Sequence, residues 1–133
     1  HLSIRRQRQM CIRDRYEMDC LNRVEEVAGL IDRIGAGNLK AHVDTFHMNI
    51  EEESTELVLL RYREYIGHVH FADNNRRYPG AGMIDFKSVL RALALAGYGG
   101  FIGLECLPWP NGETAARRAL AYLNGLQEAA SPA

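Results

Sequence analysis

The chain is short of cysteine, of long apolar runs and of net charge, and each shortage removes a class of function. Its three cysteines, Cys11, Cys20 and Cys106, are odd in number and lack C-x-x-C spacing, so neither a disulfide framework nor a thiolate zinc knuckle is expected. The longest apolar runs fall far short of the roughly 18 to 20 residues that span a bilayer, and no secretory signal pattern opens the chain. A net charge of −1 carries no overall nucleic-acid footprint. What is present is 133 residues with 47% apolar and 25% charged content. That suits one soluble domain able to bury a core, with a cytoplasmic location as the default expectation.

One stretch departs from this balance. Arg5, Arg6, Arg8, Arg13 and Arg15 crowd the first fifteen residues, whereas the remainder is mildly acidic. Such an arm would ordinarily suggest a nucleic-acid or membrane tail. The run from Arg5 to Arg15, RRQRQMCIRDR, instead resembles one reading frame of a transposase sequencing adapter residue for residue. On that reading residues 1–15 are a non-native segment set aside from fold reasoning. Residues 16–127 then form the domain, and 128–133 a frayed tail.

From Leu21 to Ile34 apolar residues recur at Val24, Val27, Ala28, Ile31 and Ile34, one helical face, and Gly35 stands where a left-handed cap is expected. Leu39–Val43 reads as a short strand leading into D-T-F-H. Ser54 reads as the N-cap of a second helix running to about Tyr65, with Glu51–Glu53 as charge at its positive end and Gly67 as its breaker. His68–Ala72 is a second strand whose alternation sets His68 and His70 on one face. After a polar loop, Asp85 caps a third helix that buries Phe86, Val89, Leu90 and Leu93, with Gly97 past its end. Phe101–Glu105 is the third strand. The last helix is expected to bury Ala116, Ala119, Leu120 and Leu123.

Three strands alternating with four helices imply a parallel sheet with right-handed crossovers, and sites in such folds lie beyond the C-terminal strand ends. Those ends carry Asp44 and His47, then His70, then Glu105. Asp44 and His47 alone fit either a turn cap beside a solvated histidine or a metal-assisted site. With His70 and Glu105 added, the set mixes oxygen and nitrogen donors and suits Mn²⁺, Mg²⁺ or Co²⁺.

The stretches HVDTFHMNIEE, GHVHFADNNRRYPGAGMIDF and FIGLECLP resemble the ketose 3-epimerases of the xylose isomerase-like TIM-barrel superfamily, in order and at family-like spacing. The resemblance implies an α/β fold, the C-terminal part of a (β/α)₈ barrel. It implies Asp44, His70 and Glu105 as metal ligands, His47 and Arg76 as residues holding substrate oxygens, and Glu105 as a proton-transfer carboxylate. RYEMD at Arg15–Asp19 resembles the family's RYETD, making Glu17 a substrate-side glutamate. The implied reaction moves a proton at C3 of a ketose through a cis-enediolate, between two carboxylates on opposite faces. The family's first metal-binding glutamate falls at Cys11, inside the adapter-like run, so the chain is expected to be a fragment with little or no activity. Asp19 does not replace that glutamate, since the shift would shorten the segment leading to Asp44.

A partial barrel is also expected to be marginally stable or self-associating, with the Leu39–Val43 edge unpaired. Family members usually pair as dimers. His68 reads as packed or supporting, Arg77 as solvated, and Trp109 either as a cap on the site or as packing against Pro108 and Pro110. Rival readings are another keto-sugar isomerase acting on hydroxypyruvate or an inositol-pathway substrate, a non-catalytic sugar- or partner-binding remnant, and an endonuclease IV-like repair enzyme. The last needs a basic tracking surface and more zinc ligands, which the sequence beyond residue 15 does not show.

Overall fold

Apolar alternation and helical periodicity settle into the expected order of elements, with two additions. The computed structural model describes residues 9–11 and 20–128. It runs β1 (Gln9–Cys11), α1 (Val24–Ile34), β2 (Lys40–Asp44), α2 (Thr45–Glu51), α3 (Thr55–Arg61), a 3₁₀ turn (Arg63–Tyr65), β3 (Ile66–Phe71), α4 (Phe86–Leu95), β4 (Ile102–Leu104) and α5 (Gly112–Glu128). The sheet order is β1-β2-β3-β4 with every pair parallel. Parallel strands joined by helical crossovers form a section of a (β/α)₈ wall. Among the described residues no helix is long and apolar enough to cross a membrane.

The first addition is β1, which pairs Gln9, Met10 and Cys11 with Lys40, Ala41 and His42. The β2 edge is therefore not left unpaired as expected. A parallel ladder asks only for extended backbone, so it forms whatever side chains the segment carries. The second addition is α2, which begins directly where β2 ends. Asp44 Oδ1 accepts from Phe46 N at 2.8 Å and His47 N at 3.3 Å, and two satisfied N–H groups turn the chain into a helix there.

Gly67 does not break a helix. It is the extra residue of a bulge in β3, since Ala41 pairs with Ile66 while His42 pairs with His68. A Cβ there would sit 2.5 Å from Lys40 Cβ, so β2 and β3 approach this closely only with glycine.

Acidic side chains tie the helix starts. Glu26 Oε2 accepts from Asn22 N and Arg23 N at 2.8 and 3.0 Å, and Gly35 closes α1 at φ 66°. Glu52 serves α1 rather than α3, because its Oε1 accepts from Val24 N at 2.8 Å. Ser54 Oγ accepts from Leu57 N at 3.3 Å as expected.

Asp85 Oδ1 accepts from Lys87 N and Ser88 N at 3.1 and 3.2 Å, and the Ser88 hydroxyl donates to Oδ2 at 2.7 Å. Asp85→Ala is expected to lower stability by about 1 kcal/mol in urea titration near neutral pH. The Ser88 hydroxyl and then its N–H hold the Asp85 carboxyl below the usual carboxylate range. A folded-state pKa below the unfolded one gives stability that is present above about pH 4 and lost as pH falls through the folded value. The gap between wild type and variant should therefore narrow at about pH 3. A gap that widens in acid would remove this account.

The core lies between the sheet and the helices, around Val43, Val69, Phe71, Phe86, Val89 and Leu93. Phe71 and Phe86 meet at 5.0 Å between ring centroids, and Tyr122 of α5 meets Phe86 edge-on at 6.3 Å. That aromatic contact sets the phase of α5. Ala115 and Ala119 are buried, with Tyr122 and Leu123 packed on the core, while Ala116 faces solvent and Leu120 is 61% exposed. The expected face was thus rotated by about one residue.

Candidate metal centre

Strand alternation gives the sheet one apolar face and one polar face. On β2, Ala41 and Val43 pack into the core while His42 and Asp44 occupy the other side; on β3, Val69 and Phe71 pack inward while His68 and His70 share the polar side. Register then sets His42 beside His68 and Asp44 beside His70. On β4, Gly103 lies opposite His70. A Cβ at Gly103 would fall 2.6 Å from His70 Cδ2 and 2.9 Å from its Nε2, so the missing side chain makes room for the His70 ring.

Glu105, two residues beyond Gly103, reaches the same ring. His70 Nδ1 and Glu105 Oε2 lie 2.6 Å apart, and because an ionised carboxylate only accepts, Nδ1 carries the hydrogen. Asp44 completes the group. One donor atom from each of Asp44, His70 and Glu105 lies within 4.8 Å of the others. Ligand distances of about 2.0 to 2.2 Å put donors roughly 3 Å apart around a small divalent ion, so shifts of about 1 Å per side chain would close the set. Two carboxylates with one imidazole fit a hard or borderline divalent cation.

Burial raises the Asp44 carboxyl, against the opposing pull of His47 and of its two capping N–H groups. Burial would also raise Glu105, but the His70 hydrogen bond and the charges of His70, His42 and Arg76 outweigh it and hold that carboxyl below its usual range. His42 is pushed down to about 4, by burial first and then by His70 and His68. It is therefore a neutral imidazole at neutral pH. Sequence reading passed over His42, although its alternation with Asp44 on β2 was the available signal.

His47 and Arg76 flank the group by different routes. His47 sits in the first turn of α2, only 5% exposed, with its ring 5.0 Å from that of Phe46. It is therefore not the solvated surface histidine of the simplest reading. Arg76 lies in the loop after β3 with its guanidinium carbon 5.1 Å from the Phe46 ring centroid. Its charge is felt at Glu105. Arg77, expected to be solvated, is half-buried and stacked on Trp109 at 4.2 Å, so Trp109 packs against an arginine at the loop rim. Glu17 lies outside the described residues.

Two residues that carry no expected role hold the site's frame. Thr45 Oγ1 donates to Ala72 O at 2.7 Å and accepts from Ala72 N at 3.0 Å, stitching the end of β2 to the end of β3. Asp73, fully buried, gathers the loop that carries Arg76: its Oδ1 accepts from Asn74 N and Ile84 N, and its Oδ2 from Gly80 N and Gly82 N, at 2.8 to 3.1 Å. A cleft of about 290 Å³ lined by Leu59, Arg63, Ile66 and Gly97–Gly100 opens at the opposite, N-terminal strand ends. In barrels of this kind chemistry sits at the C-terminal ends, so the strand-end cluster is the better candidate.

Comparison with known proteins agrees with this geometry. Residues 11–126 match the family model described as xylose isomerase-like TIM barrel. The D-psicose 3-epimerase of Ruminiclostridium cellulolyticum is 36% identical over 92 residues, which is 69% of this chain and 31% of that protein. The L-ribulose 3-epimerase of Mesorhizobium japonicum gives the same identity and coverage. The solved structure of an L-ribulose 3-epimerase superposes with a TM-score of 0.85 at 28% identity, over 91% of this chain and 47% of that one. This chain spans about a third of the length of the curated relatives it matches. A family match over most of the sequence, carried on a parallel strand-helix wall whose strand ends gather Asp44, His70 and Glu105, places the chain in the xylose isomerase-like TIM barrel family.

Proposed function

We propose that this chain is part of a divalent-metal-dependent sugar epimerase or isomerase of the ketose 3-epimerase type. The observation that carries the reading is the convergence of Asp44, His70 and Glu105 at adjacent strand ends. A cation held there, Mn²⁺ before Mg²⁺ or Co²⁺, would polarise a ketose carbonyl and acidify the neighbouring C–H. The protein's own groups do the rest. Glu105, exposed at the end of β4 and oriented by His70, takes the proton from C3, and the substrate passes through a cis-enediolate. Arg76 offers a cation to a sugar oxygen from one side. His47, within electrostatic reach of Asp44, offers a ring nitrogen from the other. Glu17 would complete the substrate side.

Return of the proton to the opposite face needs a second carboxylate. By the family resemblance that position is Cys11, so the chain as it stands is proposed to bind the cation but to turn over little or no substrate. D-Psicose and L-ribulose, named in the relatives' activities, are the first ketoses to try. The whole enzyme is read as a cytoplasmic homo-oligomer with no nucleic-acid partner.

Purified chain should bind Mn²⁺ in calorimetry, more weakly by about tenfold or more in Asp44→Asn, and give no epimer above background. Absence of Mn²⁺ binding would overturn the metal assignment. Mn²⁺-dependent turnover lost in Glu105→Gln would support the chemistry and overturn the proposed inactivity.

A further inference from the structure

We propose that His42, His68 and His70 form a second cation site, one that takes zinc-class ions, beneath the Asp44–His70–Glu105 group and sharing His70 with it. The three imidazoles come from adjacent strands, and one ring nitrogen of each lies within 4.8 Å of the others. Their ring centroids are 4.0 Å apart for His42 and His70, 4.8 Å for His68 and His70, and 5.0 Å for His42 and His68. The bulge at Gly67 creates this grouping. Had the register run on unbroken from the Ala41–Ile66 pair, His42 would face Gly67 rather than His68.

Beyond the clustering itself, one feature points to a ligand. His42 Nε2 is buried and has no hydrogen-bond partner, a loss of solvation that a bound cation would relieve. The absent side chain of Gly103 lets the rings close on one another, since a Cβ there would stand 2.9 Å from His70 Nε2 and 3.4 Å from His68 Nε2. Edge-to-face contact among the rings explains their packing but leaves His42 Nε2 without a partner.

Donor chemistry selects the ion. An all-imidazole donor set favours Zn²⁺, Ni²⁺ or Cu²⁺ over Mn²⁺ and Mg²⁺, which prefer oxygen. Three histidines also suffice for zinc with one position left open. Sharing has a consequence that rests on the function proposed above. A neutral imidazole has one lone pair, so His70 serves one ion at a time and Zn²⁺ should exclude Mn²⁺.

The test is calorimetric titration of the full chain with Zn²⁺ and, separately, with Mn²⁺, in wild type, His42→Asn and Asp44→Asn, with circular dichroism to confirm folding. The expected result is Zn²⁺ affinity about tenfold or more weaker in His42→Asn, with Mn²⁺ affinity within about twofold, and the reverse pattern in Asp44→Asn. Zn²⁺ binding unaffected by His42→Asn and weakened by Asp44→Asn would overturn the proposal, since zinc would then occupy the carboxylate group alone. If Zn²⁺ binds in a His42-dependent way while Mn²⁺ does not bind at all, the three-histidine site stands and the Mn²⁺ reading falls. Should His42→Asn fail to fold, His68→Asn takes its place with the same expected pattern.

Discussion

Alanine at position 103 is expected to weaken Mn²⁺ binding by about tenfold to a hundredfold while the chain stays folded. The added methyl would lie 2.6 Å from His70 Cδ2, closer than carbon atoms can approach, and the obstacle is a ring rather than a flexible tip. The His70 ring must swing away, which separates its Nδ1 from Glu105 Oε2. Position 103 is not in the left-handed backbone region, so alanine brings no conformational strain, and overpacking of this kind costs about 1 to 3 kcal/mol. Gly37→Ala is the control, since a Cβ there meets nothing within 4 Å. Calorimetry with Mn²⁺ and a thermal melt decide the matter. Full Mn²⁺ affinity in Gly103→Ala would show that His70 is not a ligand.

Much of this site was legible from residue order because strand ends are local features. Asp44, His70 and Glu105 each follow an apolar stretch of strand length, and parallel topology brings such ends together without further information. Capping chemistry was equally local, so Ser54, Asp85 and Gly35 stand where expected. Contacts between distant segments were not legible. Glu52 looks like N-terminal charge for α3, yet its partner is Val24, 28 residues earlier. The face of α5 depends on where Tyr122 meets Phe86, which periodicity alone does not specify. Capping and membership of the cluster are compatible at Asp44. One oxygen receives the N–H groups of α2, and the same carboxylate stands within reach of His70 and Glu105. The strand at Gln9–Cys11 is not legible for another reason: its segment resembles an adapter-derived run, and a backbone ladder does not depend on side-chain pattern.

Asp73→Ala should lower stability by about 3 to 5 kcal/mol. Its carboxylate is fully buried and satisfies the N–H groups of Asn74, Gly80, Gly82 and Ile84. Alanine would remove the one carboxylate that these four N–H groups share. Asp73→Asn should fall between the two, because an amide keeps one acceptor oxygen and turns the other acceptor into a donor facing two N–H groups. Urea unfolding of the three proteins measures the series. A loss below about 0.5 kcal/mol for Asp73→Ala, the size of an ordinary surface change, would mean that other contacts hold the loop. The same carboxylate explains the glycine at 82, where a Cβ would collide with both Asp73 and Asn74.

Arg76 is one of two described residues other than glycine with positive φ, at 59°, and its backbone is pinned on both sides. Its N–H donates to Asp73 O at 2.7 Å, and its carbonyl accepts from Leu107 N at 2.6 Å. The second bond fastens the loop after β3 to the loop after β4, two residues beyond Glu105. Load on the Arg76 backbone is therefore passed to Leu107, two residues from the carboxylate at the end of β4. In the function proposed above, the residue offered to a sugar oxygen and the carboxylate offered to C3 are thus joined through one main-chain hydrogen bond, above a sheet that keeps its register.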